Sequence, residues 1–263
     1  MKLDYETQQL GNDTFRLHAY FPLPGLGILP VNSFVLRGSE PILVDTGLAG
    51  QRDSFLKELG SVLDPAELRW IWMTHMDADH VGNLDAVLQA APSARLVTTY
   101  LGMGKAGLLG LPLDRCYLLN PGQTLNAGDR ALLAVKPPIF DAPETTGLFD
   151  HSTGDLFSSN SFGAVMQQPA EFACEMAAAD LRDGMHLWAS VDAPWLNVTD
   201  RAKFQSTVSA LRELRPGRIL SSHLPVAEGA ACETLFSNLE DVAGMDGFVG
   251  PDQVALEQMM AAA

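Results

Sequence analysis

Cysteine is scarce in this chain. There are three, Cys116, Cys174 and Cys232, and none forms a CxxC pair. An odd, scattered set argues against a disulfide framework and against a sulfur-only metal site. It fits a reducing, cytoplasmic setting. Long apolar runs are missing too. No stretch approaches the run of about 18 apolar residues that a membrane helix needs. The first ten residues, MKLDYETQQL, are polar and acidic, so no secretion leader is expected. Positive charge is also short. The 17 Lys and Arg face 32 Asp and Glu, for a net charge of −15. Such a surface repels phosphate backbones and anionic lipid headgroups, which argues against nucleic acid and membrane as partners.

What remains is an ordinary globular composition: 263 residues, 47% hydrophobic and 19% charged. That length can bury a substantial core. No repeat, low-complexity tract or linker divides the chain, so residues 1–263 are expected to form a single domain. Phe15 to Phe21 is a candidate strand, ended by the Pro/Gly-rich PLPGLGILP. VNSFVLRG and PILVDTG follow as two strands around a turn at Gly38–Pro41. Phe55, Leu56, Leu59 and Leu63 are spaced for a helix. LRWIWMT, residues 68–74, is nearly all apolar and suits a strand buried on both faces.

Beyond it, Asn83 to Ala91 reads as a helix, ARLVTTY as a strand and Gly102 to Leu109 as a short helix. Strand-like pieces follow to about Val135. FDHSTGDLFSSN resembles a hairpin turning at Ser152–Gly154. Ala170 to Ala189 and Asp200 to Leu214 are helical, the second capped by Thr199 or Asp200. RILSSH is a short strand ending at His223, and the tail from Pro251 is helical. Strands and helices intermix throughout, which predicts an α/β (α+β) architecture of sheets covered by helices.

MTHMDADHVG, residues 73–82, carries the chemistry. His75, Asp77, Asp79 and His80 fall within six positions directly after the buried strand. If the backbone stays extended, His75, Asp77 and Asp79 point to one side. His80 then turns inward where a helix begins at Val81–Gly82. Imidazoles and carboxylates converging at a strand end make a transition-metal site. The alternative is a solvated loop in which Asp79 caps the helix.

These residues resemble the metallo-β-lactamase fold superfamily. PILVDTG matches its strand ending in an aspartate, and THMDADHVG matches its HxHxDH loop. The resemblance runs from about Val31 to His223 and implies a four-layer αββα sandwich with the metal site at the sheet edges. Zinc hydrolases of the superfamily carry His where this chain has Asp77. A carboxylate there resembles the flavodiiron and oxygen-binding diiron branch, whose motif is HxExDH. It makes the site harder and more anionic, which favours iron or manganese over zinc.

Downstream, that branch has a histidine in a segment like HWPDSM, an aspartate in LFSxDxFG and a histidine in SHG. Here the segments read DAPETT (141–146), LFSSNSFG (156–163) and SHLP (222–225). The resemblance thus implies Asp141 in place of the histidine, Asn160 in place of the bridging aspartate, and His223 unchanged. The carboxylates still number three: Asp77, Asp79 and Asp141. The expected metal set is His75, Asp77, Asp79, His80, Asp141, Asn160 and His223. In zinc hydrolases the position of His80 binds a second metal; in the diiron branch it lies near the metals without binding. A neutral amide bridges two cations poorly, so the second of two metals is expected to bind weakly.

Asp45 in VDTG is expected to accept hydrogen bonds from the metal-binding loop. His151 competes as a donor, but a turn residue is the simpler reading, and His18 and His186 have no partner motif. Met166, Met176, Met185, Trp188 and Trp195 could line a pocket over the metals, but core packing is the simpler expectation for each.

The resemblance implies a non-haem diiron protein that binds or reduces dioxygen or nitric oxide. No Gly-rich phosphate loop follows a strand in the tail, so a stand-alone type fed by a separate electron-donor protein is expected. Oxygen-binding relatives suggest a homodimer. The alternative is a metal-dependent hydrolase of an ester, thioester or lactone, with Asp79 and His80 as catalytic residues and zinc in place of iron. A third reading is a sensor that only binds oxygen or iron at the same site.

Overall fold

The computed structural model describes residues 4–262. Thirteen strands form two sheets. The first runs β1 (Glu6–Gln9), β2 (Thr14–Leu23), β3 (Gly27–Leu36), β4 (Ile42–Val44), β5 (Trp70–Trp72), β6 (Arg95–Thr98) and β7 (Cys116–Leu118), in that spatial order. It is antiparallel from β1 to β4 and parallel from β4 to β7. The second comprises β8 (Thr124–Ala127), β9 (Arg130–Val135), β10 (Gly147–Asp150), β11 (Asp155–Phe157), β12 (Arg218–Leu220) and β13 (Ala227–Glu228). Its order is β13-β12-β11-β10-β9-β8, and only β11 and β12 pair in parallel.

Residue alternation explains the layering. Phe34, Leu36, Ile42, Val44 and Trp72 point inward and meet Leu132, Leu148, Phe157 and Leu220 of the opposite sheet. Their neighbours Val35, Leu43 and Ile71 point outward. They pack under α1 (Arg52–Val62), α3 (Leu84–Ala90) and α4 (Tyr100–Leu108), the short α2 (Ala78–Val81) lying between α1 and α3 in the chain. Phe149, Leu156 and Ile219 do the same under α5 (Ala178–Asp192), α6 (Arg201–Arg212) and α7 (Ala230–Glu240). Strands buried on both faces are why LRWIWMT is nearly all apolar. The result is helix, sheet, sheet, helix. A last helix, α8, spans Gln253–Ala262.

Several expected boundaries move. PLPGLGILP does not simply end a strand; it is the turn and start of a hairpin whose ladder runs from Thr14↔Leu36 to Leu23↔Gly27. Pro30 is tolerated inside β3 because β4 pairs with β3 only over residues 34–36. The helix expected from Ala170 begins at Ala178. Its first part is instead tied down by a bridge between Phe172 and Val226. Asp200, not Thr199, caps α6, accepting from Lys203 N–H at 3.0 Å. The helix α7 is marked in the sequence only by Cys232, Leu235, Phe236 and Leu239, at helical spacing on its buried face. No helix among the described residues is long and apolar enough to cross a membrane.

Candidate metal centre

The two parallel strand pairs place the chemistry. β4 ends into Asp45, β5 into Thr74 and His75, β11 into Ser158–Asn160, and β12 into Ser221–His223. The turn after β9 brings in Asp141. Three residues here, Asp45, Ser159 and Phe162, hold φ near +60°. Left-handed backbone at non-glycine residues is costly and persists where the surroundings enforce it, often at functional sites.

The loop does not stay extended as far as Asp79. The helical turn α2 begins at Ala78 and splits the motif in two. His75 and Asp77, before the turn, gather with Asp141. Asp79 and His80, within it, gather with His223. In each group the ligand atoms lie within 4.8 Å of one another. The first group opens outward, the side chains of Asp77 and Asp141 being 44% and 27% exposed. The second also reaches solvent, through Asp79 with a side chain 31% exposed, while His80 and His223, like His75, are buried.

Each histidine is oriented from behind. His80 Nδ1 lies 2.8 Å from Asp45 Oδ2, and His223 Nδ1 lies 2.8 Å from the Pro30 carbonyl. Both partners only accept, so Nδ1 donates in each ring and Nε2 is the atom turned toward the centre. Those two Nε2 atoms are each 3.3 Å from Asp79 Oδ2, and neither has a hydrogen-bond partner. His75 Nδ1 faces the Thr74 and Ser159 hydroxyls at 3.2 and 3.3 Å. Its Nε2 faces Asp141 at 3.6 Å and Asn160 Nδ2 at 3.5 Å. Asp45 also accepts from Thr74 N–H at 2.8 Å and from the Thr74 hydroxyl at 2.7 Å, which ties the strand end to the loop.

The electrostatics are those of a cation site. Burial, then the Asp141 carboxyl beside it, pushes the Asp77 carboxyl up to about 6. Burial opposes the charge of Asp79 as well, but His80 and His223 hold it well below the usual carboxylate range. Burial, then the charge of His80, keeps His75 well below its ordinary value. Burial also disfavours charge on His80, but Asp79 and Asp45 raise it well above. Buried imidazole nitrogens without hydrogen-bond partners and carboxylates crowded against each other are costly unless a cation joins them. The donor set therefore fits two metal ions. Its content of oxygen and imidazole donors suits iron, manganese or zinc.

All seven expected residues lie at this centre. His151 does not: it is exposed in the turn between β10 and β11. His18 lies on β2, and His186 on α5 faces the Asn238 carbonyl at 3.3 Å. Four further residues flank the centre, and of these only Trp188 carries an expectation from the sequence. Trp188 packs its ring 4.7 Å from that of His223 rather than serving the core alone. Glu144 is buried against Lys105 at 2.6 Å, and Lys105 is 4.0 Å from Asp77 at the rim. Asp192, at the end of α5, accepts from Asn160 Nδ2 at 2.9 Å. Burial, then the charge of Asp141, pushes its carboxyl up to about 7. No motif marks Asp192; its only signal is a carboxylate on a helix with a buried face.

Comparison with known proteins bears on the fold. Residues 26–103 match the metallo-beta-lactamase superfamily. The chain is 31% identical over 155 residues to a putative diflavin flavoprotein A 1 of Thermosynechococcus vestitus, covering 57% of this chain and 27% of that protein. It is 21% identical over 241 residues to the nitric oxide reductase of Moorella thermoacetica, covering 83% of this chain and 60% of that one. Among solved structures, rubredoxin oxygen:oxidoreductase from Desulfovibrio gigas superposes with a TM-score of 0.80 at 18% identity, over 90% of this chain and 61% of that one. The flavodiiron protein of Giardia intestinalis gives 0.77 at 17% identity, over 90% and 59%. The chain thus spans between about a quarter and three fifths of the length of these relatives. It has the metallo-β-lactamase fold, and the solved structures similar to it include flavodiiron proteins.

Proposed function

We propose that this chain, acting as one domain, holds a dinuclear non-haem iron centre and serves as an oxidoreductase toward nitric oxide or dioxygen. The observation that carries the reading is the pair of facing donor groups, His75–Asp77–Asp141 and Asp79–His80–His223. Three carboxylates among six donors make a hard, anionic site, which favours iron over zinc. Relatives named nitric oxide reductase and anaerobic nitric oxide reductase flavorubredoxin support it.

Bound iron would supply the electron chemistry; the protein contributes orientation and environment. Asp45, Pro30 and the Thr74 and Ser159 hydroxyls fix the three rings. Trp188 packs against His223, while the Asp77–Asp141 side is open to a diatomic ligand. Lys105 at the rim balances Asp77 and Glu144. Electrons are expected from a separate donor protein, and the working unit is expected to be a homodimer.

A hydrolase is the second reading, favoured by one feature. His80 turns Nε2 toward Asp79, so the second group is two imidazoles and one carboxylate, a set that also suits zinc. An ester, thioester or lactone would then be the substrate. The test is to load the protein anaerobically with ferrous iron, reduce it, and follow nitric oxide and dioxygen with electrodes. Catalytic consumption supports the proposal. No consumption, together with thioester or lactone turnover by zinc-loaded protein, selects the hydrolase.

A further inference from the structure

Asn160 stands where the family resemblance puts a bridging carboxylate. The residue is held at its main chain and at one end of its side-chain amide. Trp188 Nε1 donates to the Asn160 main-chain carbonyl at 3.1 Å. Asp192, one turn further along α5, accepts from the side-chain Nδ2 at 2.9 Å. Cations in the centre would keep Asp192 ionised, and an ionised carboxylate only accepts, so it takes the NH₂ end of the amide and repels the carbonyl end. That decides which way the amide faces. Asn160 Oδ1 is left buried with no protein partner, as is the second oxygen of Asp192. Asp192 is 6% exposed and lies within the field of Asp141, His80 and His223, so its charge acts on the same centre.

We propose that Asp192 is a positioning residue. It holds the Asn160 amide with Oδ1 available to the metals, and it returns, one layer out, the negative charge that Asn160 lacks. Donation of Nδ2 to a carboxylate also polarises the amide and strengthens its carbonyl oxygen as a donor. The centre thereby replaces one bridging carboxylate with an amide and carboxylate acting in series. This rests on the dinuclear reading above.

The test is an anaerobic titration with cobalt(II) alone, read by affinity and by the visible spectrum of the bound ion. Four proteins are compared: wild type, Asp192→Asn, Asp192→Ala, and the exchange Asn160→Asp with Asp192→Asn. Wild type should bind two equivalents. Asp192→Asn keeps an acceptor for Nδ2 but loses the charge, and should weaken the second equivalent about tenfold. Asp192→Ala loses both, and should weaken it about 100-fold with a changed spectrum. The exchange moves the carboxylate inward and should bind the second equivalent at least as tightly as wild type. Should Asp192→Ala fail to fold, the isosteric Asp192→Asn decides. A wild type that binds two equivalents beside an Asp192→Asn equal to it in affinity and spectrum overturns this inference alone. A wild type without a second equivalent overturns the dinuclear reading and this inference with it.

Discussion

His80 Nδ1 lies 2.8 Å from the Asp45 carboxylate, and that contact decides which end of the ring faces the centre. Asp45 comes from one strand end and His80 from the loop after the next strand, so the contact also locks the two together. Replacing Asp45 with Ala frees the ring to turn and leaves Thr74 N–H without its acceptor. Metal affinity should fall about 10- to 100-fold, measured by competition with a chromophoric chelator. An unchanged affinity would show that the ring needs no such support.

The two donor groups should be separable. Asp77→Ala with Asp141→Ala dismantles the first group and leaves Asp79, His80 and His223 intact. Elemental analysis should then give one metal per chain. Asp79→Ala should instead impair the second group. Loss of both metals in the Asp77/Asp141 variant would mean that the groups do not bind independently.

Gly82 closes the motif against the neighbouring loop. A methyl group there would stand 2.3 Å from both the Gly47 carbonyl oxygen and the Ala49 nitrogen, which are main-chain atoms with little room to move. Gly82→Ala should cost about 3 kcal/mol and lower Tm by roughly 5–10 °C. Metal uptake should weaken as well, because α2 carries Asp79 and His80. A thermal melt equal to wild type would contradict the tight approach.

Away from the centre, His18 should set part of the acid stability. Burial, then the charge of Arg16, lowers it from an ordinary value of 6.5 to about 4. Between those two values the unfolded chain takes up a proton that the folded chain refuses. Stability should therefore fall as pH drops from about 6.5 to about 4, with no contribution from His18 above that window. In His18→Gln this component disappears. Urea melts across that range should show a flatter profile for the variant; parallel profiles would sink the assignment.

The sequence made the layers legible where burial imposes a strict pattern. Ile71 and Trp72 face opposite layers, so both must be apolar, and the run around them stands out. Motif spacing likewise drew out His75, Asp77, Asp79 and His80 as candidates, and the family resemblance added His223. It could not show that α2 sends the two halves of the motif to different groups, because that depends on where a helix starts rather than on residue type. Asp192 has no mark in the sequence, and Trp188 reads more simply as a core residue, for a related reason. They reach the centre across the packing of α5 on the second sheet, and nothing local to either residue records that contact.

The measurement that bears most directly on the central claim is the metal content of the protein after anaerobic loading with ⁵⁷Fe, read by elemental analysis and Mössbauer spectroscopy. The account predicts close to two irons per chain, in two distinct environments that change on exposure to air or nitric oxide. Zinc that iron cannot displace, or iron bound without any such response, would contradict it.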